Sequence, residues 1–210
     1  MDQVWLNIFS VLFVFSMAIV SPGPNFILVV NTSLNKSRQD GTYAAIGVAT
    51  GSGLFAFAGL LGLILIINSL PYFSLLVKFL GGGYLIYLGL SMMRQVNSPA
   101  PHLNNQNGQL RSSGRFSAFL HGLVTNLTNP KAWAFYFSLF TLVVKPDFPL
   151  WAKIFLCASM FFISLLWYGV ISLMISEKRV QERFLRFQPI LNGILGSLLM
   201  LLGGRLLLRN

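Results

Sequence analysis

At 210 residues and a formal charge of +10, the chain is apolar at 55% of its positions, charged at only 10%, and has a mean hydropathy of +0.70. So low a charged fraction, against roughly 25% in soluble domains, excludes an ordinary water-soluble fold, and six spans of about 20 residues would leave no room for a separate catalytic domain. A single cysteine, Cys157, and two histidines, His102 and His121, exclude an intrachain disulfide, a cysteine zinc cluster and a two-histidine metal helix, so no metal or cofactor is expected.

Charge-free runs mark the predicted helices, because a charge at mid-bilayer costs about 2.5–3.5 kcal/mol on insertion scales. Residues 3–35 hold the first span; with Met1-Asp2-Gln3 and no basic segment before it, this run is expected to be retained and not cleaved as a signal peptide. Residues 41–77 hold the second span and enter the third, which continues past Lys78 to residue 93. Residues 116–144, interrupted only by Lys131, then 154–176 and 187–204, supply the fourth to sixth. The expected fold is all-α, with six transmembrane helices in a single membrane domain.

Lys36, Arg38, Arg94, Arg111, Arg115, Lys178, Arg179, Arg183 and Arg186 fall in the odd-numbered loops, against Lys145, Lys153, Arg205 and Arg209 on the other side. The odd loops are therefore predicted to be cytoplasmic, with both termini outside. Topology accounts for the basic excess, so no nucleic-acid partner is expected. The run 177–186 reads as a solvated loop beside anionic lipid headgroups. Ser, Asn, Gln, Pro and Gly dominate residues 95–115, which read as a flexible cytoplasmic linker between halves 1–94 and 116–210.

The halves correspond. Gly82 and Gly89 enclose six residues of the third span, and Gly196 and Gly203 enclose six of the sixth. Close helix packing alone explains such glycines, as it does Gly47 and Gly51. The first span of each half is also broken, by Pro22-Gly23-Pro24-Asn25 in one and Asn129-Pro130-Lys131 in the other. Halves of three helices enter the bilayer from opposite sides, giving inverted repeats, an architecture of secondary transporters whose substrate lies between broken helices at mid-membrane.

Proline lacks an amide hydrogen and clashes with the carbonyl one turn back. Pro22 and Pro24 thus free backbone groups that must face protein or water. Residues 125–131 put two amides, two hydroxyls and a cation about 13–22 Å along the fourth helix, too deep for a loop. Asn126 and Asn129 share a face there, and Lys131 turns toward them only if Pro130 bends the chain. The acids, Asp2, Asp40, Asp147, Glu177 and Glu182, all lie at ends or in loops, so a buried Lys131 has no carboxylate within the membrane. That suits an anionic group of a substrate, and a zwitterion fits: carboxylate to Lys131 or a half-helix N-terminus, ammonium to Asn25 and the carbonyls freed near Pro22 and Pro24. Of the deeper aromatics, Tyr136 and Trp133 follow Lys131 most closely and are the candidates for lining a pocket.

Ser-Pro-Gly-Pro-Asn at 21–25, the Gly-rich second span, Leu-Gly-Gly-Gly-Tyr-Leu-Ile-Tyr-Leu-Gly at 80–89 and Gly-Leu-Val-Thr-Asn-Leu-Thr-Asn-Pro-Lys at 122–131 together resemble the LysE/RhtB amino-acid exporters. The resemblance covers nearly the whole chain and is nearest the threonine and homoserine efflux branch. It implies a non-enzymatic bacterial inner-membrane exporter of a small amino acid, working by alternating access on the proton motive force, as a monomer or homo-oligomer. In many such relatives an acidic residue precedes a fifth-span tryptophan like Trp167; here the neighbourhood holds Ser164, which cannot ionise. Proton coupling would then fall to Asp40, otherwise the N-cap of the second helix, or to His121 near the membrane surface. The rivals are a passive small-solute channel and a non-transporting membrane subunit; without paired membrane carboxylates or a nucleophile motif, an intramembrane enzyme is disfavoured.

Overall fold

The computed structural model describes residues 2–21, 23–69, 73–94, 96, 114–129, 131–133, 135–136, 139, 148–175 and 178–208. Regular structure among them is helical, without a strand. Helix α1 is Asp2–Val20, α2 Pro24–Asn35, α3 Arg38–Ser69, α4 Phe73–Arg94, α5 Arg115–Thr128, α6 Leu150–Met174 and α7 Lys178–Leu208, and a further helical stretch starts at Lys131. Among the described residues four helices are long and apolar enough to cross a membrane, through Gln3–Val20, Arg38–Gly59, Leu150–Met174 and Arg186–Arg205. The chain is thus a multi-pass membrane protein. Pro22, Pro130, Asp147, Glu177 and nearly all of the linker lie outside the described residues.

Both predicted breaks are real. The first apolar run divides into α1 and α2, with Pro24 opening α2 where its missing amide hydrogen costs nothing. The fourth span stops at Thr128, and Asn129 is extended at φ −73°, ψ 110° before the chain turns helical again at Lys131. Elsewhere, hydroxyls are returned to the backbone one turn back, as Ser16 to Leu12 at 2.7 Å and Thr50 to Ile46 at 2.9 Å, which satisfies them where lipid cannot.

Two expectations need correction. Residues 178–186, read as a solvated loop, are helical and continuous with α7; their Arg, Lys, Gln and Glu are good helix formers, and Pro189 follows within the same helix. The second predicted span is helix α3, which begins at Arg38, so Asp40 is its third residue and not its N-cap. Ser37 is the cap: its Oγ accepts from the Asp40 amide at 3.0 Å and donates to the Asp40 carboxylate at 2.6 Å.

Helix α4 packs chiefly on α7, α3 on α5 and α6, and α2 on α3. Missing side chains permit the closest approaches. A methyl at Gly89 would lie 2.5 Å from the Gly196 carbonyl oxygen, and one at Gly196 2.6 Å from that of Gly89; Gly82 and Gly203 oppose each other likewise. Between α3 and α5, Gly47 abuts the Phe119 carbonyl and Gly122 that of Ala44. Two apolar clusters form the core, one around Ile8, Phe15, Phe55, Leu156 and Met160, the other around Phe26, Val30, Val48 and Ile171.

Candidate functional site

A cavity opens where the two breaks meet, with about 50 Å³ of room for water centres. Ser21, Gly23 and Asn25 from the first break line it, as do Asn126, Asn129 and Lys131 from the second; Ser52 of α3, Tyr136 and Tyr168 complete its polar wall, and Phe15, Leu88, Met92 and Leu199 are among its apolar side. Residues about a hundred positions apart in sequence therefore share one pocket.

The local backbone explains why. Because α5 ends at Thr128, Lys131 is no longer on the far side of a continuous helix. Its amide donates to Asn129 Oδ1 at 2.9 Å, capping the new helical stretch, and its Nζ crosses to donate to Ser21 Oγ at 3.1 Å. Gly23 lies under the same ammonium: a methyl there would be 3.6 Å from Nζ. Asn129 Nδ2 donates to Asn25 Oδ1 at a long 3.5 Å, and the Tyr168 hydroxyl pairs with the Asn25 side chain. Helix α2 starts at Gly23 with no side chain capping it, so its positive end and Lys131 face the same space.

Asn126, also on the cavity wall, is tied to α3. Its Nδ2 donates to the Val48 carbonyl at 2.6 Å and to Ser52 Oγ at 3.0 Å. Ser52 Oγ also lies 3.1 Å from Ser164 Oγ, and both serines are buried. Tyr136 is buried and stacked on Phe55 at 5.1 Å.

Of the sequence-predicted site residues, Gly23, Asn25, Asn126, Asn129, Lys131 and Tyr136 line the cavity. Pro24 stands at the head of α2, and Pro22 and Pro130 lie outside the described residues. Trp133 does not line the cavity: it is 60% exposed, and its Nε1 donates to the Leu127 carbonyl at 2.6 Å. Of the coupling candidates, Ser164 sits one hydroxyl behind the cavity through Ser52; the Asp40 carboxylate is held by the Ser37 hydroxyl and His121 is exposed on α5. Sequence reasoning missed Ser52 and Tyr168. The signal for Ser52 was a polar residue between Gly51 and Gly53 in an apolar helix; Tyr168 looked like ordinary packing.

A family model described as LysE type translocator matches residues 6–210. The chain belongs to that family. Among curated relatives of this translocator, the threonine efflux protein of Escherichia coli K12 is 32% identical over 195 residues, covering 90% of this chain and 91% of the relative. The threonine efflux protein of Salmonella typhi is 31% identical over 196 residues, with 90% and 92% covered. A membrane protein of E. coli K12, YahN, is 27% identical over 203 residues, with 95% and 90% covered. No solved structure matches this translocator.

Proposed function

We propose that this translocator exports a small amino acid, threonine, homoserine or a similar one, from the cytoplasm across the bacterial inner membrane by alternating access. One observation carries the reading: the Lys131 ammonium, with no acidic partner among the described residues, spans both helix breaks to Ser21 and meets the uncapped start of α2 inside a cavity with one polar and one apolar wall. A cation and a helix N-terminus converging there suit a carboxylate. At about 10–15 Å³ per water centre the cavity takes about four waters, or about 120 Å³ of liquid, on the scale of a small amino acid. The relatives named for threonine efflux support the same substrate class.

Six spans in two inverted repeats are part of this reading, with both termini outside. The glycine contacts support it: Gly82 and Gly196 are 114 positions apart (196 minus 82), as are Gly89 and Gly203. Exchanging the halves by that offset turns the Gly82–Gly203 contact into the Gly89–Gly196 contact, as a two-fold axis requires. Energy comes from the proton motive force, with Asp40 and His121 as the titratable candidates and Ser164 contributing a hydroxyl only. A scaffold has no need of paired breaks, and a channel would need them only around a filter.

Counterflow of labelled threonine, homoserine, leucine, lysine and cysteine in proteoliposomes, with and without an imposed pH gradient, tests the proposal. At least one amino acid should exchange, and the gradient should accelerate net movement. Mere equilibration would mean a channel, no movement a scaffold, and indifference to the gradient would remove proton coupling.

A further inference from the structure

The Asn126 amide can sit only one way round. Its nitrogen is 2.6 Å from the Val48 carbonyl, which has no proton to give, so reversing the amide would set oxygen against oxygen. Ser52, the other partner of the nitrogen, is bonded in turn to Ser164 and the Val48 carbonyl. Asn126 Oδ1 is then left buried without a hydrogen-bond partner among the described residues, on a residue that is 1% exposed and lines the cavity. A buried acceptor in that state calls for a donor.

Its place in the fold says which kind. Asn126 lies in the last turn of α5, where the helix dipole is negative and favours a cation. The positive groups, Lys131 Nζ and the start of α2, are gathered at Ser21 and Gly23 instead. The cavity therefore has an electropositive end at the first break and an electronegative end at α5. Asn25, whose Oδ1 already accepts from Asn129, belongs to the positive end.

We infer that Asn126 Oδ1 is the acceptor for the substrate's ammonium group, fixing the amino acid with its carboxylate toward Lys131 and its nitrogen toward α3 and α5. This rests on the amino-acid reading above and adds the orientation and the residue that demands an amine. A carboxylic acid without the amino group would still find Lys131 but would leave Oδ1 unpaired.

The test measures how unlabelled L-threonine and 3-hydroxybutyrate, the same molecule without its amino group, inhibit labelled threonine counterflow and raise the melting temperature of the purified full-length protein. In the wild type threonine should act at about tenfold lower concentration than 3-hydroxybutyrate. Asn126→Leu should weaken threonine by about tenfold and leave 3-hydroxybutyrate within about twofold. Asn126→Ser, smaller but still polar, must show the same collapse of the ratio should the leucine variant fail to fold. Lys131→Gln should weaken both compounds together. An unchanged ratio in the Asn126 variants, or equal loss of both compounds, overturns the assignment while the exporter reading stands. Failure of the wild type to exchange any of the five amino acids overturns both.

Discussion

The two helix breaks line one cavity, yet they are finished differently. At the second, Asn129 folds back to cap the Lys131 amide. At the first, Gly23 offers no side chain, and what reaches the start of α2 comes from the second break, the Lys131 ammonium. The two breaks thus present opposite chemistry. One break presents bare backbone, and the other supplies the charge that covers it. In the binding mode proposed above, a polar ligand would enter between a donor-rich end and the acceptor-rich end at α5.

The sharpest way to break this contrast is to remove the charge. Lys131→Gln should lower counterflow by at least about 30-fold, the scale expected when one member of a buried charged pair is truncated. Immunoblots of membranes should show unchanged expression, and retained exchange would discard the division of labour. Moving the second break bodily comes next. Gly122→Ala drives a methyl into the Ala44 carbonyl and pushes α5 from α3, at a cost of about 1–3 kcal/mol of stability, read as a lower melting temperature together with lost exchange. Gly23→Ala should separate the two quantities, because its methyl meets only ordinary contacts beside Lys131. Melting should be unaltered while KM rises by about tenfold, as the space for a carboxylate narrows. Ser21→Ala removes the partner of Nζ and should weaken exchange by about fivefold. The smallest effects belong to Asp40→Asn and His121→Gln, which should leave exchange at equal pH on both sides within about twofold. Either substitution would show its effect only when a pH gradient is imposed.

Much of this site could be read from residue order. Two proline-containing interruptions in apolar runs force backbone to seek polar company, and the asparagines and lysine around the second were conspicuous because hydrocarbon tolerates them so poorly. The partners were not legible. That Lys131 would cross to Ser21 depends on where α5 stops, and Ser52 is a single hydroxyl that sequence alone cannot distinguish from one bonded only within its own helix. The helical start of α7 was misread because charge was taken as a sign of loop, although charged residues form helix readily once clear of the lipid. Trp133 was close to Lys131 in number but follows the turn to the outer face.

The reciprocal glycine seam between α4 and α7 bears on the energetics of the export cycle proposed here. A contact that maps onto itself when the halves trade conformations contributes the same free energy to the inward-open and outward-open forms, so it cannot bias one over the other. The bias has to originate where the halves are chemically unequal, in the lysine present on one side and missing on the other. Tuning the resting population of such a carrier should therefore be easier by substitution around a handful of cavity residues than anywhere along that long helix pair.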